Sequence, residues 1–497
     1  MSHLAAADDS LGLTGDGRAG VARISYDVRE VMPGDLFAAI DGAEFRGHDV
    51  AAEAVARGAA ALLVDRELAL DVPMLVGRDP RASLARLAAA FHGHPSHDLR
   101  AIGITGTDGK TTTTHLVEAV LRAAGAVVGS ISTIGVRIGD SAAPASTRLT
   151  TPESPDVQRY LRQMVDAHAE WAVLEATSHG LALNRLDEVA FAVGAVTNVT
   201  HEHLDFHGTT AAYRDAKGTL LRRVADADGV VVVNDDDRAA AELVAYAGRA
   251  RVVRYGFGSS VDVRAVDTRV ERERTTFVLE TPVAAAVPVA LALPGRFNVE
   301  NALCAAACAL AVGVRPETIA VGLSAAEPAP GRMTWIDAGQ PFAVVVDFAH
   351  TPRALEQVLR LLRTLHPNGR LIAVLGSAGE RDRLKRPQLG EVSAREADYS
   401  VFTSEDPRHE DADAIIAQIA LGALVAGGRE RETFVCVTGR ADAIRHALAM
   451  AAPHDCVLLA GKGHERSIVW GADEHPWDEA AVARAVLADL GYPEGDG

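Results

Sequence analysis

Apolar residues fall along this chain in short runs separated by longer amphipathic stretches. The runs AIGIT (101–105), WAVLEAT (171–177), VGAVTN (193–198), GVVVVN (229–234) and RVVRYG (251–256) are short and nearly continuous. That pattern predicts strands buried on both faces. A helix over about 110–124 and helical patterns between several of the runs predict strand–helix alternation, the mark of a parallel, doubly wound sheet. Residues 261–294 carry strand-like runs without helices, a β addition, and a helix over 298–312 closes the unit.

Smaller units flank it. Before it, a Pro33-Gly34 turn precedes the apolar run 36–40, then an Ala-rich helix over 50–57 and the strand ALLVD (61–65). After it, AVVVDF (343–348), RLIAVLGS (370–377), YSVFTS (399–404) and CVLLAGKG (456–463) read as strands. Helical patterns at 353–366, 411–425 and 440–451 intervene. PAPGR (328–332) is a hinge candidate, and residues 1–20 read as frayed. The expected architecture is α/β with three domains, 21–97, 98–327 and 328–497. A central doubly wound parallel sheet with a P-loop is flanked by a small N-terminal α/β domain and a C-terminal Rossmann-like one.

Composition narrows the possible partners. In 497 residues, 49 Lys and Arg against 67 Asp and Glu give a net charge of −18. That argues against broad nucleic-acid or anionic-membrane binding, but not against a local basic pocket. The four cysteines form no CxxC pair, which argues against structural zinc and suits a reducing compartment. Cys304 and Cys308 are expected as small core residues on one helix. The N-terminus has no basic and apolar signal pattern, and no apolar run approaches the ~18–20 residues of a membrane span. A soluble, cytoplasmic, monomeric protein is expected.

The strongest local chemistry is Gly106-Thr107-Asp108-Gly109-Lys110-Thr111-Thr112, between a predicted strand and helix. A phosphate needs closely approaching N–H donors, a cation and the positive end of a helix. Thr111 places a hydroxyl for Mg²⁺. The spacing is the short GxxGKT form, with Ile104 where the longer form has glycine. Glu175 ends a strand, where open α/β sheets bind ligands. It could ligate Mg²⁺ or orient a water, or simply cap a helix. THEHLDFHG (200–208) gathers His201, His203, His207, Glu202 and Asp205. It lacks HExxH spacing, so a hard cation suits it better than zinc. By pattern alone Lys217 is a solvated helical lysine, and Arg408 reads equally well as a solvated loop arginine.

Taken together these segments resemble the Mur ligases of the UDP-N-acetylmuramyl-tripeptide synthetase (MurE) type. GTDGKTT, LTTPE, EATSHGL, TNVTHEHLDFHG, AYRDAK, GRFNVENA, PGRM, VVDFAHTP, GSAGERDRLKRP, TSEDPR and GKGHE follow that family's order over essentially 21–490. The resemblance implies a reaction. ATP phosphorylates a carboxylate of UDP-MurNAc-L-Ala-D-Glu, and an amine displaces the phosphate to form a peptide bond. It implies one Mg²⁺ on Thr111 and Glu175 and a second that His203 helps to hold, with Lys217 as a carbamate that supplies an anionic oxygen ligand, and makes Lys110, Glu175, His203 and Lys217 the catalytic set. Gly106 to Thr112, Asn301 and His350 would bind ATP. Thr150, Thr151, Thr177 and Arg185 would bind the UDP-sugar peptide. Arg381, Glu405, Asp406, Pro407, Arg408, Gly461 and Glu465 would bind the incoming amino acid, with Arg408 on a carboxylate and Glu465 on an ammonium.

Several positions depart from the family pattern. Asp108 stands where Asn is common and is expected to point away from the phosphates or to cap the helix. Val28 replaces a hydroxyl near the uridine, and Leu183 an amide. Glu405-Asp406-Pro407-Arg408 stands for the usual D-N-P-R. Arg408 favours a substrate with a second carboxylate, such as meso-diaminopimelate. The carboxylate of Asp406 favours a cationic side chain, such as lysine or ornithine. The competing readings are a folate polyglutamate ligase and a non-catalytic nucleotide-binding partner of the same fold.

Overall fold

The computed structural model describes residues 1–42, 46–143, 149–200 and 202–492. His201, one of the histidines of THEHLDFHG, lies outside them. Three β-sheets follow one another along the chain, with a separate C-terminal hairpin.

The first sheet has five strands, in the order Gly12–Thr14, Met74–Val76, Ala61–Val64, Asp35–Ala38 and Arg23–Ser25. The N-terminal residues expected to fray are built into it. Gly12–Thr14 pairs antiparallel with Met74–Val76, and the Met1 ammonium donates to the Ala19 carbonyl at 2.8 Å. Met1 and Leu4 are buried in the core beside Leu36 and Leu63. Leu4, Leu11 and Leu13 supply the apolar contacts that a polar reading of the segment overlooks.

The central sheet has eleven strands. Its parallel core places Arg100–Thr105 between Trp171–Glu175 and Phe191–Val196. The expected strands at 230–234 and 251–256 follow in register on one side. The predicted β addition is an antiparallel extension, Val263–Val270, Thr275–Thr281 and Ala284–Leu291. Two helices pack against the P-loop helix Lys110–Ala123. One is Arg296–Ala311, which carries Cys304 and Cys308, both buried. The other, Pro316–Ala325, escaped the sequence pattern.

The third sheet orders Thr334–Ile336, Ala343–Asp347, Cys456–Ala460, Leu371–Leu375, Tyr399–Phe402 and Phe434–Cys436. All its pairings are parallel except the first. Parallel strands direct their carboxyl ends to one edge, so this sheet and the central one each present a row of loops suited to ligands. Among the described residues no helix is long and apolar enough to cross a membrane.

Candidate active site

The two rows of loops face each other across a cleft of about 260 Å³. Its floor is the P-loop. Helix Lys110–Ala123 starts at Gly109, whose φ is 85°, and has no side-chain cap. Its first N–H groups are therefore the uncapped positive end of a helix, a setting for an anion. A Cβ on Gly109 would lie 2.2 Å from Asn301 Oδ1, so the residue must be glycine for this approach. The loop is braced by the 197–198 strand end: Thr197 Oγ1 and Asn198 Nδ2 both donate to the Asp108 carbonyl, at 2.6 and 3.0 Å.

Two lysines meet beneath this loop. Lys110 Nζ donates to the carbonyls of Gly106 (3.1 Å) and Thr107 (2.7 Å). Lys217 Nζ donates to the same Gly106 oxygen at 2.7 Å and lies 4.4 Å from the centre of the Tyr213 ring. Lys217 is only 1% exposed, so it is not the solvated lysine its helix pattern suggests. Burial, reinforced by Lys110, holds its amine well below the ordinary lysine range.

One wall is made of hard oxygen donors. Glu175, buried at the end of its strand, accepts the Thr133 N–H at 2.9 Å and lies 3.1 Å from the Thr133 hydroxyl. Thr133 Oγ1 lies 3.3 Å from Thr111 Oγ1 and 3.1 Å from Thr150 Oγ1. A hydroxyl–carboxylate set of this kind suits Mg²⁺ rather than a softer metal. Across the cleft, burial pushes the His203 imidazole down to about 4, against the pull of Glu202. It is therefore neutral at pH 7 and keeps a lone pair. Burial alone would raise the Glu202 carboxyl, but His203, His350 and Lys110 outweigh it and hold it well below the usual range. The His350 Nδ1–H donates to the Phe348 carbonyl at 2.9 Å, and Nε2 lies 3.6 Å from Glu202.

Of the expected ATP residues, Thr107 to Thr112, Asn301 and His350 line the cleft. Phe297, Ala354 and Val358 add an apolar wall beside Asn301. The sequence does not single out several polar residues of this cleft, among them Thr133, Arg332 and Asp347. Arg332 Nη2 donates to Thr111 Oγ1 at 3.2 Å and lies over the Phe348 ring. Asp347 accepts the N–H groups of Met333 and Ala349. The positions of Thr133 and Asp347 at parallel strand ends were the available signal. Arg332 lies in the hinge candidate PAPGR and in the family motif PGRM, neither of which assigns its side chain a role.

Asp108 neither caps the helix nor turns away from the cleft. It lines the cleft and accepts the Thr351 hydroxyl at 3.1 Å, linking the P-loop to the N-cap of helix Pro352–Leu365. The cap position of the P-loop helix is occupied by Gly109 instead.

Beside this cleft, Thr151 Oγ1 donates to the Glu175 carbonyl at 2.6 Å and lies 2.9 Å from Thr177 Oγ1. Thr150 and Thr177 reach the cleft wall. The Arg185 guanidinium is buried on Glu153 (2.9 Å) and the Thr151 carbonyl (3.1 Å). Arg81, from the first sheet's domain, pairs with the same Glu153 at 3.2 Å. Two guanidiniums on one carboxylate leave an excess positive charge at this junction.

The 405–408 segment lies at the carboxyl edge of the third sheet. Asp406 does not offer its carboxylate outward. It accepts from the fully buried Lys462 ammonium (2.9 Å) and the Val469 N–H (3.1 Å), so its charge is compensated inside the protein. Asp406 is therefore turned to Lys462 and the Val469 N–H rather than held open for a cationic side chain. Glu405 Oε2 and Arg408 Nε are buried without a hydrogen-bond partner, and a Cβ on Gly461 would sit 2.9 Å from that Glu405 oxygen. Burial, then the nearby charge of Arg408, lowers the Arg381 guanidinium from its ordinary value. Pro407 is packed against Gly379. Glu465 pairs with Lys462 at 2.5 Å and also lines the main cleft, so it joins the two areas.

Family models agree with this layout. "Mur ligase family, catalytic domain" matches residues 21–92, "Mur ligase middle domain" 104–309, and "Mur ligase, glutamate ligase domain" 331–463. The chain is 46% identical over 487 residues to a UDP-N-acetylmuramyl-tripeptide synthetase of Roseiflexus sp. (strain RS-1), covering 95% of each. It is 40% identical over 480 residues to a UDP-N-acetylmuramoyl-L-alanyl-D-glutamate–2,6-diaminopimelate ligase of Geobacillus kaustophilus (strain HTA426), covering 96% of each. A solved structure of a ligase with that same description superposes with a TM-score of 0.63 at 29% identity, covering 95% of both chains.

Proposed function

The chain belongs to the Mur ligase family, and on that premise we propose that it joins an amino acid to UDP-N-acetylmuramoyl-L-alanyl-D-glutamate at the expense of ATP, in peptidoglycan precursor synthesis. The observation that carries the reading is the convergence of Lys110, Thr111, Glu175 and His203 on one cleft between two carboxyl-edge loop rows. The similarity to tripeptide synthetases runs through the N-terminal sheet as well, which favours this reading over a folate polyglutamate ligase.

An ionised carboxylate is a poor electrophile. The γ-phosphoryl of ATP passes to a carboxylate oxygen of the D-glutamate, giving an acyl phosphate and ADP. The amine of the incoming amino acid then attacks the carbonyl carbon. Phosphate leaves with the former carboxylate oxygen, and the nitrogen loses a proton. The P-loop N–H groups and Lys110 hold the phosphates and offset their charge. Thr111 and Glu175 would hold one Mg²⁺, and neutral His203 would help to hold a second, with a carbamate on Lys217 as an anionic oxygen ligand. When bound, these ions would neutralise charge on the transferring phosphoryl. A carbamate forms only from an uncharged amine, which is the state that burial favours for Lys217. Asn301 and the Phe297 wall suit an adenine, and the Arg81–Glu153–Arg185 junction suits the diphosphate of the UDP-sugar.

For the amino acid, Arg381 and Arg408 lie close together with no carboxylate of their own partnering Arg408 Nε. The buried, unpartnered Arg408 Nε favours a substrate with a second carboxylate, and we infer diaminopimelate. The test is incubation with ATP, Mg²⁺, the UDP-dipeptide and, separately, meso-diaminopimelate, L-lysine and L-ornithine, with products weighed by mass spectrometry. Product with diaminopimelate alone supports the reading. Product with lysine or ornithine but not diaminopimelate contradicts the assignment of the amino acid.

A further inference from the structure

Arg408 has a φ of 54°, a left-handed backbone that a non-glycine residue adopts only when its surroundings hold it there. Two hydrogen bonds do so, and both come from the hairpin formed by Ser467–Trp470 and Asp473–Pro476. The Arg408 N–H donates to the Val469 carbonyl at 3.0 Å, and the Arg408 carbonyl accepts the Gly471 N–H at 2.8 Å. Two residues earlier, the Val469 N–H donates to Asp406 Oδ1, the oxygen also held by Lys462. The inner hairpin strand therefore runs beside 406–408, with Arg408 and Trp470 bridged in parallel. On the far side the Gly379 N–H donates to the Asp406 carbonyl at 2.8 Å. The segment is gripped from both sides.

The hairpin is itself anchored. Arg466 pairs with Asp478, and Trp477 Nε1 donates to Glu479 Oε2 at 2.6 Å. Glu479 is the partner of the buried Arg440, which also donates to the carbonyls of Ser404 and Ala460. The hairpin base is thus tied to the strand ends that carry the amino-acid segment.

We propose that this hairpin is the positioning element that aims the Arg408 guanidinium at the incoming amino acid, and that the Gly471 N–H is its decisive contact. The inference rests on the ligase reading above. The mechanism is geometric: a small displacement of a substrate-clamping group is amplified in recognition, and the left-handed Arg408 backbone has no other hydrogen-bonded support from the hairpin than Val469 and Gly471.

Gly471 is well suited to a test. Its φ is 58°, and a Cβ there would meet nothing within 4 Å. Asn keeps the N–H and tolerates the left-handed backbone, Val keeps the N–H but strains it, and Pro removes the N–H and cannot adopt the angle. Gly471→Pro should raise the KM for diaminopimelate by about tenfold or more. The KM values for ATP and the UDP-dipeptide, and kcat at saturating amino acid, should stay within about twofold. Gly471→Val should fall between, and Gly471→Asn should match the parent. In an Arg408→Lys background, Gly471→Pro should add less than about twofold, because the contact acts through Arg408. If the Pro variant does not fold, the Val variant decides. An unchanged amino-acid KM, a common shift of all three KM values, or a full effect in the Arg408→Lys background would overturn the proposal. Absence of product from the unaltered protein would instead overturn the ligase reading, and this inference with it.

Discussion

Lys110 and Lys217 donate to a single carbonyl oxygen, that of Gly106, at 3.1 and 2.7 Å. One neutral acceptor cannot offset two ammonium charges. Burial falls mainly on Lys217, and repulsion from Lys110 acts in the same direction, so its amine is the one driven toward the neutral form. A neutral amine can take up CO₂. Activity is therefore expected to fall in CO₂-depleted buffer and to return with bicarbonate. Lys217→Ala should lose about a hundredfold or more in kcat, a loss typical of removing one electrostatic group at a reacting centre, and bicarbonate should not restore it. Full activity in that variant would contradict the metal-site account.

The Asp108–Thr351 contact places a carboxylate among groups that hold phosphate. Burial, followed by Glu202, raises its pKa, so the cleft already disfavours its charge. Asp108→Asn keeps an acceptor for the Thr351 hydroxyl and removes the charge. The ATP KM should drop by roughly fivefold, the equivalent of about 1 kcal/mol. The amino-acid KM should not move. Initial-rate kinetics with each substrate varied in turn checks this, and an unchanged or higher ATP KM counts against it.

Acid should weaken the fold through buried imidazoles. Burial lowers His179 to about 3, His203 to about 4 and His464 to about 3, whereas in the unfolded chain they titrate near 6.5. Between those values the unfolded state binds more protons. This stability is therefore fully present above about pH 6.5 and is lost as pH falls toward 4 for His203 and toward 3 for His179 and His464, by up to about 1.4 kcal/mol per pH unit per group. The melting temperature should fall across that window, and His179→Phe, beside Phe206, should make the fall shallower. Parallel curves for the two proteins would refute the assignment.

Arg440 and Glu479 form a salt bridge at 2.6 Å, with side chains 1% and 0% exposed. Removing one partner leaves a buried charge uncompensated. Glu479→Ala should destabilise the C-terminal domain by about 3–5 kcal/mol, measured by denaturant unfolding. A loss below about 1 kcal/mol would show that the site relaxes or admits water.

Much of this was legible in the sequence. Strands buried on both faces, such as 101–105 and 456–460, announce themselves as continuous apolar runs, and the P-loop glycines and Lys110 mark their own chemistry. What escaped depends on contacts between distant residues. The first twenty residues look polar, yet Leu4 and Leu13 complete a core. Lys217 looks solvated because its helix pattern does not reveal that it reaches the Gly106 carbonyl, 111 positions away. The sequence does not reveal that the Asp406 carboxylate is engaged by Lys462, 56 positions away. Thr133 and Arg332 gain a role only when the central and C-terminal sheets face each other.

The central claim is that this cleft activates a carboxylate as its acyl phosphate. It can be tested with UDP-MurNAc-L-Ala-D-Glu whose glutamate carboxylates carry ¹⁸O, incubated with ATP, Mg²⁺ and diaminopimelate. The predicted result is one phosphate released per peptide bond formed, with each phosphate carrying a single ¹⁸O. Peptide product accompanied by unlabelled phosphate, or phosphate release without product, would contradict it.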